Sequence, residues 1–106
     1  MRMTYAEFWP RYLQQHSRPA TRRIHVLGTC LAVLLLVGSV LNQDWWLAVA
    51  AVLVGYGGAW LSHAFVERNR PETFSHPLWS LASDFRMTVL YLSGGLRREL
   101  DRYGIR

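Results

Sequence analysis

Lysine is absent from this sequence, cysteine occurs once, and the connection between its two long apolar runs carries no positive charge. Each shortage excludes something. With Cys30 alone inside an apolar run there is no disulfide framework and no paired-cysteine redox motif; a free cysteine in that setting packs as a small hydrophobe. All 12 basic residues are arginine, against seven acidic ones, for a net charge of +5. Such a balance could suit nucleic acid. Here, however, the arginines flank apolar spans instead of lining one polar face, which argues against a nucleic-acid surface and for topology determinants beside anionic lipid. No repeat and no low-complexity segment is present, and 106 residues leave room for a single domain, 1–106.

What the chain has is apolar sequence in blocks. Mean hydropathy is only +0.04, yet Ile24 to Leu41 and Trp45 to Val66 are runs of 18 and 22 residues with one ionisable side chain each, His25 and His63. As helices they would be roughly 27 and 33 Å long, matching a hydrocarbon core of about 30 Å. A chain this short has too little other sequence to cover two helices that are apolar all round, so the expected fold is all-α: an integral membrane hairpin with spans over 20–41 and 45–67. The three-residue turn Asn42-Gln43-Asp44 makes the spans antiparallel neighbours. Five arginines precede the first span and seven follow the second, which predicts both termini in the cytosol, in a bacterial inner membrane by the chain's brevity and lack of lysine. Trp45 and Trp46 fall where an aromatic belt belongs at the opposite interface. No cleavable signal precedes Ile24, so the first span would serve as its own insertion signal.

Amphipathic helices are expected on both flanks. Thr4-Tyr5-Ala6-Glu7 is a capping-box pattern, followed by the apolar stripe Tyr5, Phe8, Trp9, Tyr12 and Leu13. It predicts an interfacial helix over 4–16, which Pro10 would bend or divide. Pro19 suits the first turn of the first span. Pro77 opens a second interfacial helix over 77–93, with Leu78, Leu81, Phe85, Val89 and Leu92 on one face and Asp84 and Arg86 off it. Gly94-Gly95 ends that helix, and 94–106 reads as a polar tail.

The histidines carry the chemistry. Counted outward from Gln43, His25 is 18 residues back and His63 is 20 residues on, a difference of about 3 Å in height, so both imidazoles reach one depth at the arginine-rich end. His16 and His76 lie on that same side. Glu67 is four residues after His63, on the same helical face, which continues backward as Ala59 and Gly55. The His25 face continues as Gly28 and Ala32, so a small-residue seam should join the spans with the histidines at its mouth. Ionisable groups at such depth are costly unless paired or ligating. Neutral imidazoles with a carboxylate suit iron, zinc, manganese or copper, with His16, His25 and His63 as ligands, His76 as a further candidate, and Glu67 as ligand or orienting partner. Arg70 could hold a lipid carboxylate bidentately. Two other classes fit the same residues: a haem electron-transfer protein with His25 and His63 as axial ligands, and a non-catalytic membrane module that binds lipid or metal.

These pieces, taken together, resemble a known family. Tyr12 through His16, His16-Ser17-Arg18-Pro19 with His25 nine positions on, His63-x-x-x-Glu67, Arg70-Pro71, Ser80-Leu81 and Asp84-Phe85-Arg86-Met87 follow, in order, the pattern of the small membrane-protein family of the yeast 2-hydroxy fatty acid dioxygenase and its short bacterial relatives. The resemblance runs from about Tyr5 to Gly94. It implies a non-haem Fe(II)-dependent dioxygenase that shortens long-chain 2-hydroxy fatty acids by one carbon (α-oxidation), with His16, His25 and His63 on the iron and Glu67 close by. Ser62 stands where the family often has glycine. The longer eukaryotic members carry additional apolar segments, which a homo-oligomer of this shorter chain could replace.

Overall fold

The computed structural model describes residues 3–70 and 75–105, and all regular structure among them is helical. Arg2, Pro71 and Arg106, which entered the topology and motif readings, lie outside the described residues. Helix α1 spans Tyr5–Gln14, α2 Pro19–Asn42, α3 Trp45–Ser62, α4 Pro77–Ser93 and α5 Leu96–Arg102; a π-helical turn, His63–Glu67, continues α3.

The ends of these helices are set by local chemistry. The Glu7 N–H donates to the Thr4 hydroxyl at 3.2 Å and the Thr4 N–H to the Glu7 carboxylate at 3.0 Å, a complete capping box. Pro10 does not divide α1, which runs through it unbroken. Gln43 turns the chain with a left-handed φ of 51°, and Asp44 caps α3 by accepting from the Trp46 N–H at 3.0 Å. Gly94, at φ 84°, ends α4 in the left-handed conformation that only glycine adopts without strain.

α2 and α3 are both long and apolar enough to cross a membrane, α3 when counted with its π-turn. They pack as the expected hairpin, closely, because small residues face each other. A Cβ built on Gly55 would lie 3.5 Å from Ala32 Cβ, and one on Gly28 would lie 3.6 Å from the Val54 carbonyl oxygen. Their outer surfaces stay exposed: Leu27, Leu34, Val40, Leu41, Trp45, Trp46 and Leu53 each leave more than 60% of their surface uncovered.

The flanking segments depart from expectation in an informative way. The apolar stripe of α1 does not face outward. Phe8, Trp9, Tyr12 and Leu13 are fully buried against Met87 of α4 and Leu96, Leu100 and Ile105, and Cys30 packs onto that cluster. The segment 94–106 is therefore not merely a polar tail: Leu96 and Leu100, four residues apart, give α5 an inner face that closes the core. The stripe of α4 does the opposite. Leu78, Leu81, Phe85, Val89 and Leu92 are exposed, and the inner face of α4 is made of Ser80, Ser83, Met87 and Thr88, with Asp84 beside them. The molecule is a two-helix hairpin whose arginine-rich end carries a compact three-helix cap. Replacing Leu100 (1% exposed) by alanine should cost about 2–4 kcal/mol, as for other buried leucines, whereas Leu53→Ala (67% exposed) should cost little; unfolding both in detergent micelles compares them.

Candidate metal centre

The cap and the hairpin meet at three buried histidines. His16 lies in the short link between α1 and α2. Its own main-chain N–H donates to the Leu13 carbonyl at 3.1 Å, and the Arg22 guanidinium grips the link by donating to the carbonyls of His16 at 2.9 Å and Ser17 at 2.8 Å. Glu67 grips it from the other side, accepting from the Ser17 hydroxyl at 3.1 Å and the Arg18 N–H at 2.6 Å. His25 is in the second turn of α2. His63 begins the π-turn, after which Arg68 takes a left-handed φ of 61° and turns the chain so that Asn69 folds back onto His63.

The Nε2 atoms of His25 and His63 each lie 3.1 Å from that of His16, and the three rings stand nearly perpendicular to one another. The outward-facing nitrogens fix the proton positions. His16 Nδ1 is 2.7 Å from the Tyr12 carbonyl, which can only accept, so Nδ1 carries the proton. Asn69 Nδ2 donates to the Gln15 carbonyl at 3.2 Å, which leaves Asn69 Oδ1 to accept from His63 Nδ1 at 2.5 Å. His25 Nδ1 faces an Asp84 carboxylate oxygen at 3.5 Å, and that oxygen also accepts the Tyr12 hydroxyl proton. The Nδ1 protons of His16 and His63 thus point at acceptors, which turns their Nε2 lone pairs toward each other, with His25 Nε2 beside that of His16. Two lone pairs 3.1 Å apart repel unless a cation lies between them. Imidazole nitrogens bound side by side to one ion at about 2.0–2.1 Å stand about 3 Å apart, so the donor set fits a metal ion, and these three residues could hold one.

Electrostatics agrees. Burial, and then the neighbouring His25 and His63, push the His16 imidazole well below its ordinary 6.5, which keeps it the neutral ligand a metal needs. Burial, then the Asp84 charge, raises the Tyr12 phenol, so it stays protonated and donates to that carboxylate while its ring stacks on His16 at 4.1 Å.

The other residues singled out in the sequence lie apart from this cluster. Glu67 points its oxygens at the His16 link. His76 stacks on Trp79, with ring centroids 5.3 Å apart, and meets Phe8 at 5.4 Å. Arg70 is exposed beyond the π-turn. Sequence reasoning gave no role to Asp84, Asn69 or Arg22. Asp84 lay off the apolar stripe of α4, which was a usable signal; nothing in the local pattern marks Asn69, because its reach depends on the π-turn. Beside Asp84 an apolar cleft of about 300 Å³ runs between α2, α3 and α4, from Thr29 and Ala32 to Leu36 on one wall and from Tyr56 to Ala51 on the other.

A helical hairpin with a buried three-histidine site of metal-binding type is the class of protein these features define. The chain belongs to the family described as 2-hydroxy-palmitic acid dioxygenase Mpo1-like, which matches residues 2–96. Comparison with curated proteins found no match, and comparison with solved structures found none.

Asn69→Leu should leave the helical fold intact but weaken metal binding about 10–100-fold, measured by competition with a chromogenic chelator. Because the folded His16 resists a proton that the unfolded one accepts, its contribution to stability is complete above pH 6.5 and is lost as the pH falls below that value. Metal-free wild type compared with His16→Asn should therefore diverge with a slope of at most about 1.4 kcal/mol per pH unit.

Proposed function

We propose that this protein is a membrane-embedded non-haem Fe(II)-dependent dioxygenase that shortens long-chain 2-hydroxy fatty acids by one carbon. The single observation that carries the reading is the close approach of three buried histidine Nε2 atoms in a chain of the Mpo1-like family. Membrane residence is supported by the exposed apolar surfaces of α2 and α3 and by the outward stripe of α4, which together exceed what a water-soluble monomer leaves uncovered. The arginine-rich cap then lies in the cytosol, in a bacterial inner membrane.

His16, His25 and His63 would hold the iron, which when bound supplies the redox chemistry for oxygen. A substrate whose carboxylate and 2-hydroxyl lie at these three histidines would present its first two carbons to that chemistry. Asp84, at the head of the apolar cleft, faces His25 Nδ1 at 3.5 Å and accepts the Tyr12 hydroxyl hydrogen bond, which ties both rings to α4. The cleft takes the alkyl chain; from Thr29 to Leu36 it offers about 10 Å along α2. Glu67 acts through the His16 link, and Arg70, at the surface, meets the incoming carboxylate. The two-histidine haem alternative is disfavoured by His16, whose ring occupies the space between His25 and His63 that a flat macrocycle would need.

Detergent-purified protein given Fe(II), oxygen and a 2-hydroxy fatty acid should yield the acid one carbon shorter. A chelator, or alanine at His16, His25 or His63, should abolish it; full turnover by metal-free protein would sink the proposal. Leu36→Trp, which fills the far end of the cleft, should retain iron but shift preference to shorter chains, read as kcat/KM across a chain-length series.

A further inference from the structure

A second cleft, of about 240 Å³, shares no lining residue with the apolar one. Arg22, Tyr91, Gly94, Leu96, Arg97 and Leu100 line it, so two arginines and a tyrosine border it and no aspartate or glutamate does. Arg22 is the unusual member. It is only 6% exposed, and its hydrogen bonds among the described residues go through Nη1 to two main-chain carbonyls; Glu67, which holds the other side of the same link, is near enough to attract it but makes no direct ion pair with it among the described residues. Arg97, across the cleft, is half exposed and near enough for the two cations to repel. Its own partner is Asp101, with Nε at 3.1 Å and Nη2 at 3.0 Å from one carboxylate oxygen, while Nη2 also donates to the Ile105 carbonyl at 2.7 Å. That ion pair is at the surface and contributes little.

A buried cation, a second cation held by a weak pair, and a hydroxyl around one cavity suit an anion with several oxygens more than a two-oxygen carboxylate. We propose that this cleft binds a phosphate group between Arg22 and Arg97, with the Tyr91 hydroxyl as a further donor. Its position in the first turn of α2 puts it at the headgroup level of a bilayer, so a phospholipid phosphate is the favoured source over free phosphate. The choice of source rests on the membrane reading above; the phosphate site itself does not. Occupancy would also steady Arg22, and through it the main chain of His16.

Native mass spectrometry and thermal unfolding in neutral detergent test this with three probes: dioleoyl phosphatidylglycerol, dioleoylglycerol, which lacks the phosphate, and inorganic phosphate. Wild type should retain one phosphatidylglycerol per chain and no dioleoylglycerol. Arg97→Gln should weaken retention about ten-fold or more, Arg97→Lys should restore part of it, and Asp101→Asn, which releases Arg97, should strengthen it. Stabilisation by inorganic phosphate alone, lost in Arg97→Gln, would support the site and assign it to the free ion. Binding that ignores Arg97, or that Arg102→Gln weakens equally, overturns the proposal in favour of diffuse surface charge. Metal content of Arg97→Gln at the wild-type level separates any of these results from a failure of the iron centre.

Discussion

Three imidazole lone pairs aimed at one point inside a protein repel one another, and the rest of this structure is arranged to hold them there. Two of the rings are fixed from behind by an acceptor on Nδ1, a main-chain carbonyl for His16 and an amide oxygen for His63, and the third, His25, has its Nδ1 facing the Asp84 carboxylate at 3.5 Å. Those acceptors come from α1, from the chain just past the π-turn, and from α4. The site therefore forms only when all of these are docked on α2. A bound cation would convert the repulsion into attraction, which couples metal affinity to the folding of the cap.

The cap explains why a chain of this size can support such a site. α1 contributes four fully buried apolar side chains, and α4 and α5 close over them. The resulting core sits directly behind His16 and Asp84. Charged side chains hold the periphery: Arg86 lies 4.1 Å over the Trp9 ring and 3.6 Å from Glu99, which accepts from the Trp9 indole at 2.8 Å. Glu67 and Arg22 clamp the His16 link from two sides. The link gains no rigidity from regular secondary structure, so these contacts supply it.

Much of this was legible in advance. The hairpin, its turn at Asn42–Asp44, the small-residue seam and the level placement of His25 and His63 follow from counting residues at helical rise. The capping box at Thr4 and Glu7 and the first-turn positions of Pro19 and Pro77 follow from local chemistry. Less legible was which way each amphipathic stripe would face. α1 and α4 carry similar periodicity, yet one stripe is core and the other is exposed, because periodicity marks a face without naming its partner. The 94–106 segment looked polar since only Leu96, Leu100 and Ile105 point inward. Pro10 was expected to bend or divide α1, but the helix continues through it.

By itself the sequence determined the elements and the depth of the histidines, because hydrophobic length, rise per residue and helix caps are local properties. Tertiary structure alone decided that Asp84, Asn69 and Tyr12 stand behind the three histidines and that Glu67 hydrogen-bonds the His16 link. They draw on contacts between residues far apart in the chain, such as Ser17 with Glu67, 50 positions apart, and Tyr12 with Asp84, 72 apart. No periodicity encodes them, since they arise only when the cap folds onto the end of the hairpin.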